Sequence, residues 1–318
     1  MSTWAVSPPS CLARLLACSI GLAGTSAHGV QLVQLTRSGP TYNSDYSPAW
    51  MPGSLELVFV RSQIQGPPHW YYYEMLYELS LGGAVPLYSV PGNADPAVAL
   101  DGTFAFASLG RDSTGSAVSG KIGVWRSGVG SRWLTDGAHI DREPAWSPGG
   151  TRIAFASNRD GAYHLWIVPT AGGSATQLTR GSSADRSPAW SPDGERIAFS
   201  SNRAGHLDLW IVLASGGEPR QLTDDDAEDA EPAWSPDGRF LVFASNRAGN
   251  WDLWVVNVET RGLSQVTASP SRDEEPAWSP DGSRIAFVSG GLLWLATDLG
   301  TVNVAPATWS AVKQLYRD

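Results

Sequence analysis

The stretch Pro188–Thr223 reads PAWSPDGERIAFSSNRAGHLDLWIVLASGGEPRQLT, and its punctuation decides the fold. Ser187–Ser191 is a short strand. The SPDG turn at Ser191–Gly194 ends it, with Pro suited to the second turn position and Gly closing the turn. ERIAFSS follows, alternating Ile197 and Phe199 against Ala198 and Ser200, which is the period of a strand. NRAGH turns the chain, LDLWIVL is a third strand, SGG turns again and PRQLT is a fourth. Runs this short, broken by Gly and Pro, are strands and not helices. One unit of 44 residues therefore holds four antiparallel strands.

The unit repeats. PAW ends at Trp50, Trp146, Trp190, Trp234 and Trp278, the last four 44 residues apart. The 96-residue gap from Trp50 to Trp146 leaves room for one degenerate unit, DPAVALDGTFAFAS, with Val98 where Trp is expected. This spacing predicts an all-β fold, a six-bladed β-propeller of four-stranded antiparallel blades. The last unit lacks a QLT strand, while Val30–Thr36 (VQLVQLT) carries that ending with no blade before it. The N-terminal strand is therefore expected to complete the last blade and to close the ring, which removes open sheet edges. Ten of the 15 Trp fall on two repeat positions, typified by Trp190 and Trp210. That placement predicts flat rings wedged between blades and not an aromatic binding strip.

The formal net charge of −9 and the presence of only Lys121 and Lys313 argue against nonspecific nucleic-acid binding, which depends on cationic side chains. Arg14, the apolar LLACSIGLAG and the small residues before His28 read as an export signal cut after Ala27. The apolar run is too short to span a bilayer. Both cysteines, Cys11 and Cys18, lie in this leader, so no disulfide or thiolate site is expected after its removal. The expected organisation is a signal peptide at 1–27, the propeller at 28–300, and a tail at 301–318 with a short helix capped by Thr308. The expected location is periplasmic or secreted.

The Pro188–Thr223 unit closely resembles the propeller repeat of TolB, the periplasmic protein of the Tol–Pal system. The resemblance covers about 270 residues, and the motif recurs in units three to six. It is specific for the repeat type and weakly specific for function. TolB carries a separate α/β domain ahead of its propeller, and this chain goes from leader to propeller directly. The resemblance implies an envelope protein with a protein partner, for which a Pal-type lipoprotein is one candidate.

Acidic residues recur in two rings. Asp45, Asp141, Asp185, Asp229 and Asp273 stand five residues before each repeat Trp, with Asn93 in the degenerate unit. Asp95, Glu143, Glu231 and Glu275 stand three residues before that position, with Ser47 and Ser187 completing the set. Both sets lead into the innermost strands and are expected at the mouth of the central channel. One reading is a negative funnel for a cation or a basic partner segment. The other is that each Asp caps its own turn or pairs with Arg159, Arg203 or Arg247 of the SNR turns. Recurrence favours the second reading for the Asp set and leaves the less regular Glu set freer to bind.

Two longer loops break the symmetry on the same face. The first bears Trp70, Tyr71, Tyr72 and Tyr73, and the second spans Leu109–Lys121. The aromatics read either as a partner or carbohydrate contact or as inward-facing strand residues. The acidic run before Trp234 alternates at Asp224, Asp226 and Glu228, but Asp229 takes the Gly position of an EF-hand and strands flank it. Neither metal nor cofactor is expected. The five His fall at unrelated repeat positions, and neither HExxH nor GxSxG occurs. The expected function is a monomeric, non-catalytic, exported scaffold binding a protein or peptide. The alternatives are a carbohydrate-binding or carbohydrate-processing propeller using channel carboxylates, and a Tol–Pal accessory protein.

Overall fold

The computed structural model describes residues 22–25, 30–37, 42–54, 56–65, 71–80, 83–88, 93–111 and 116–299. The tail helix expected at 301–318 lies outside the described residues, as does the leader apart from its strand at 22–25. That strand is β1 (Leu22–Thr25), followed by β2 (Gln31–Gln34). The first blade is β3 (Tyr42–Trp50), β4 (Leu57–Gln65), β5 (Tyr71–Ser80) and β6 (Gly83–Tyr88). The second is β7 (Asn93–Val98), β8 (Phe104–Arg111), β9 (Ala117–Arg126) and β10 (Gly130–Trp133). The third is β11 (Asp141–Trp146), β12 (Arg152–Asp160), β13 (Ala162–Pro169) and β14 (Thr176–Gln177). The fourth is β15 (Asp185–Trp190), β16 (Arg196–Ser201), β17 (Asp208–Leu213) and β18 (Arg220–Gln221). The fifth is β19 (Asp229–Trp234), β20 (Phe240–Ser245), β21 (Asp252–Asn257) and β22 (Leu263–Gln265). The chain finishes with β23 (Asp273–Trp278), β24 (Ile285–Ser289) and β25 (Leu292–Thr297).

The expectation of six four-stranded blades is corrected at this point. The structure has five four-stranded blades, not six, and the remaining sheet has five strands in the order β1-β2-β25-β24-β23. The fifth strand comes from the apolar part of the leader, where Leu22 pairs with Val33 and Thr25 with Gln31. Apolar residues next to an uncovered strand edge have the composition to extend it. Inside this closing sheet, β2 stands where a QLT strand stands in the blades. Thr36 Oγ1 accepts the Leu293 N–H at 2.9 Å. Thr135, Thr179, Thr223 and Thr267 accept the N–H groups of Ile122, Leu165, Leu209 and Leu253 at the same distance. One hydroxyl thus satisfies the same third-strand N–H in five of the six sheets, which explains why Thr ends the repeat.

The core runs around the ring through the second strands. Phe59, Phe155, Phe199, Phe243 and Phe287 are almost completely buried, and each alternates with small or β-branched residues. Ala198 of the fourth blade packs against Trp234, Leu241 and Phe243 of the fifth, and Ala154 of the third against Trp190 and Phe199 of the fourth. The alanines let the next sheet approach, and the indole fills the wedge that widens outward. Hydrogen bonds lock the same seam. Trp50, Trp146 and Trp234 donate their Nε1–H to the carbonyls of Ala277, Ala97 and Ala189 at 3.0, 3.2 and 3.0 Å. Each of these bonds joins one inner strand to the inner strand of the preceding sheet. Among the described residues no helix is long and apolar enough to cross a membrane.

Candidate functional site

The inner strands β3, β7, β11, β15, β19 and β23 all carry one irregularity. Their register slips at a bulge just before the Pro-Ala pair. Ser47, Asp95, Glu143, Ser187, Glu231 and Glu275 sit at that bulge with φ between 50° and 56°. This left-handed conformation is uncommon for residues with a side chain, and a residue before proline is ordinarily extended. In four of the six strands the N–H at this bulge is accepted by the equivalent carboxylate of the preceding sheet. Glu143 donates its N–H to Asp95 Oδ2 at 3.2 Å, Ser187 to Glu143 Oε2 at 2.7 Å and Glu275 to Glu231 Oε2 at 2.7 Å. Ser47 closes the circuit on Glu275 Oε2 at 2.5 Å. Where Ser187 offers no carboxylate, the Glu231 N–H turns to Ser200 Oγ at 3.1 Å.

These residues, with the prolines that follow them and Arg142, line a cavity of about 240 Å³ at one mouth of the channel. Its charge is lopsided. On one side Arg142 forms an ion pair with Glu143 at 2.9 Å, and Arg186 lies 3.9 Å from the same carboxylate. Burial works against the Arg142 charge, but Glu143 and Asp95 outweigh it and hold its pKa above the ordinary arginine value. On the other side Glu231 and Glu275 have no ion pair among the described residues. Burial, with repulsion from Glu274 and Glu143, pushes Glu231 up to about 7. Burial, with repulsion from Glu231 and Asp95, pushes Glu275 up to about 8.

A pH dependence follows. Glu275 in the folded chain keeps a proton that the unfolded chain releases near the ordinary value of 4.5. Its contribution to stability therefore falls as pH rises from about 4.5 to about 8. Glu275→Gln keeps a carbonyl for the Ser47 N–H and cannot ionise. It is expected to stabilise the fold at pH 8 by about 1–3 kcal/mol and to do little at pH 4.5. Urea titrations at the two pH values measure this, and an equal effect at both would refute it.

The second set of acids has a different place. Asp45, Asp141, Asp185, Asp229 and Asp273 are completely buried inside their sheets. Arg61 binds Asp45 through two nitrogens at 2.6 and 2.9 Å. Arg159, Arg203 and Arg247 place Nη2 within 2.7–2.9 Å of both oxygens of Asp141, Asp185 and Asp229. Those three guanidiniums also lie over Trp166, Trp210 and Trp254 at 4.7, 5.1 and 5.2 Å. Asp273, whose sheet has no SNR turn, takes Ser269 Oγ at 3.1 Å. These carboxylates anchor the turns at the mouth and are not presented to its cavity. The Asn of each SNR turn adds a second tie, with Asn158, Asn202 and Asn246 accepting the N–H groups of Ile140, Ala184 and Glu228 at 2.9 Å.

Of the acidic run, Asp225 pairs with Arg247 at 3.0 Å and Asp224 with Arg261 at 3.8 Å, while Asp226 and Glu228 are exposed. No cluster of metal-ligating side chains occurs among the described residues. Tyr71, Tyr72 and Tyr73 are strand residues, paired with Gln65, Ile64 and Gln63 in a hairpin that extends past the Asp45–Arg61 pair toward the acid end. Trp70 lies outside the described residues, as do residues 112–115 of the second long loop. Sequence reasoning missed Arg142. It adjoins Glu143 where the other strands carry Tyr46, Ala94, Arg186, Ala230 and Glu274, and comparing that column would have flagged it.

At the opposite mouth, the Pro-Ala-Trp segments and the proline turns line a larger cavity of about 680 Å³. Five of the six prolines after the left-handed residues, Pro48, Pro96, Pro144, Pro188 and Pro276, line both cavities and form the waist between them.

The family model described as the TolB beta propeller domain matches residues 226–291. The model of the Tricorn protease N-terminal beta propeller domain matches residues 162–251. No curated protein matches the chain in sequence. Among solved structures, a putative TolB from Agrobacterium tumefaciens is similar at 23% identity and a TM-score of 0.58, covering 65% of this chain and 73% of that one. TolB from Acinetobacter baumannii is 18% identical with a TM-score of 0.57, and the match covers 71% of this chain and 60% of that one. A gluconolactonase from Xanthomonas campestris is 14% identical with a TM-score of 0.64, covering 87% and 93%. Likeness at these identities carries fold and not activity. Repeat motif, sheet order and the two partial family-model matches agree that the chain is a β-propeller with repeats similar to those of TolB.

Proposed function

We propose that the chain is an exported, non-catalytic scaffold of the periplasm or cell envelope that binds a protein or peptide at the acid mouth of its channel. The partner inserts a basic side chain beside Glu231 and Glu275. One observation carries this reading. These two carboxyls line the mouth without an ion pair among the described residues, whereas Glu143 has Arg142 and four of the five buried Asp residues have turn arginines. A buried carboxyl lacking a cation is held protonated, and an incoming ammonium or guanidinium reverses that. The β4–β5 hairpin with Tyr71–Tyr73 stands at the same end as a second contact. A Pal-type lipoprotein is one partner of this kind, and a Tol–Pal accessory role is a narrower form of the proposal. Removal of residues 1–27 on export would take β1 away and leave the closing sheet four-stranded.

Calorimetry at pH 7 with a Gly-flanked Arg peptide, and with its citrulline counterpart, tests the reading. Binding of the Arg peptide is expected to release protons, seen as a heat that depends on the buffer. Glu231→Gln/Glu275→Gln is expected to weaken it about ten-fold or more, since hydrogen-bonded charge contacts contribute roughly 1.5–3 kcal/mol each. Equal binding of the citrulline peptide, or binding without proton release, would sink it.

A second reading, a carbohydrate-processing propeller, draws on the same carboxyls. Glu231 near 7 is in the range where a carboxyl can both give and take a proton at neutral pH. Turnover of an acidic oligosaccharide that disappears in Glu231→Gln would replace the first reading with this one.

A further inference from the structure

The turns at the opposite face repeat a small carboxylate cradle, and the turn of the third blade keeps the Ser and Arg of that cradle without its carboxylate. In the fourth blade Ser191 Oγ donates to Asp193, the Glu195 N–H bonds Asp193 Oδ1 at 2.9 Å, and Arg196 Nη2 bonds Oδ2 at 3.1 Å. In the fifth, Ser235 Oγ and the Arg239 N–H bond Asp237 at 2.6 and 3.1 Å. In the closing sheet, Ser279 Oγ and the Ser283 N–H bond Asp281 at 2.6 and 3.0 Å. The third blade reads Ser147-Pro148-Gly149-Gly150-Thr151-Arg152, with Gly149 where Asp193, Asp237 and Asp281 stand; the first blade also has a glycine there, Gly53, but with Met51 in place of the cradle's Ser.

The backbone of that turn is unchanged. Gly150 donates its N–H to Ser147 O at 2.9 Å, as Gly194 does to Ser191 O. The donors are also in place. Ser147 Oγ, the Thr151 N–H and the Arg152 guanidinium correspond to the three groups that hold Asp193. None of the three donates to an acceptor among the described residues. Arg152 lies flat over Trp190, 4.8 Å from the ring centre, the position that Arg196 takes over Trp234 at 4.9 Å. The space is open as well. Gly149, Gly150, Trp146, Arg132, Arg152 and Thr170 border a groove of about 680 Å³ between the second and third blades. A Cβ built on Gly149 would meet nothing within 4 Å. The two acids on the groove are already engaged, Asp101 with Arg126 at 3.3 Å and Asp193 with Arg196 at 3.1 Å.

We propose that this turn binds the carboxylate of a ligand, which takes the place of the side chain missing at Gly149. The guanidinium of Arg152 supplies the charge, and the Thr151 N–H and Ser147 O–H fix the second oxygen. The site lies at the other end of the molecule from Glu231 and Glu275 and does not depend on the function proposed for them. A free small carboxylic acid and an Asp or Glu side chain of a peptide present the same chemistry.

The test is ligand-observed NMR on the full chain with acetate, with N-acetyl-aspartate amide and with an acetylated Gly-Asp-Gly peptide amide, at constant ionic strength. All three are expected to bind saturably and in competition. An affinity rising about ten-fold from acetate to the peptide assigns the natural source to a peptide side chain; equal affinities assign it to a free acid. Arg152→Gln is expected to weaken binding about ten-fold or more. Gly149→Asp is the decisive variant. Gly149 is not in the left-handed region, so Asp fits the backbone, fills the cradle from within and abolishes binding while thermal stability holds or rises. Undiminished binding by Gly149→Asp, or by Arg152→Gln, overturns the proposal. So does non-saturable binding in the wild-type chain.

Discussion

Asp185→Ala is expected to cost about 3–5 kcal/mol of folding free energy, because it leaves a guanidinium inside the fold with no counter-charge. Asp185 is fully buried and Arg203 nearly so, with side-chain exposures of 0% and 18%. Removing the carboxylate orphans Arg203, which also bonds Ser201 Oγ at 3.0 Å and packs on Phe199 and Trp210. The midpoint of thermal unfolding should fall on the order of 10 °C. Asp185→Ala/Arg203→Met should recover most of the loss, since an apolar replacement of both partners removes the uncompensated charge. Asp224→Ala supplies the contrast. Its partner Arg261 is 3.8 Å away and both side chains are well exposed, so the cost should stay within about 0.5 kcal/mol. If Asp185→Ala behaved like Asp224→Ala, the buried-pair account of the turn anchors would be wrong.

The second large effect concerns closure. A chain beginning at His28 loses β1 alone, and its unfolding midpoint should stay close to that of the full chain. A chain beginning at Arg37 also loses β2. Val30 and Leu32, 0% and 8% exposed in the intact fold, then no longer cover the last sheet. Each contributes roughly 1.5–3 kcal/mol of apolar burial. The Leu293 N–H loses Thr36 Oγ1, and the whole outer edge of β25 is left unpaired. An uncovered central strand recruits other chains. The shorter protein is therefore expected to unfold more than 10 °C earlier and to aggregate at micromolar concentration. Light scattering during a thermal ramp reads both. Equal stability of the two truncated chains would mean that β2 does not close the ring.

How far the sequence disclosed this arrangement depends on the range of each interaction. Strands and turns were legible because their signals are local: the alternation in Arg196–Ser201 and the Pro-Asp-Gly of the turns at 192–194, 236–238 and 280–282 act within a few residues. The QLT ending of Val30–Thr36 was legible because the repeat supplied a template for the missing strand. The fifth strand of the closing sheet was not, because an apolar leader and an apolar edge strand share one composition. Residue identity alone left two readings for the Asp set, and only the register Asp185↔Ser201, with Arg203 beyond it, decides between them. The left-handed ring was hidden more deeply. Nothing local makes Glu275 adopt φ of 54° ahead of a proline; the carboxylate that accepts its N–H belongs to Glu231 of the neighbouring sheet. Arg142 and Gly149 share another difficulty. Each matters as a departure from its repeat column, so neither has meaning until the column is known to be a place in space.

The waist of prolines divides the bore into ends of opposite character. One is a small chamber of about 240 Å³ edged by carboxyls, and the other a vestibule of about 680 Å³ walled by indole and proline rings. Such a bore is a polarised conduit. An elongated guest with a cationic head and an apolar tail has one favourable sense of insertion and one unfavourable sense, decided by the axis as a whole and by no single residue. Reversing such a guest would place charge among rings and apolar surface among carboxyls, so the two ends of the bore differ in the chemistry they would favour.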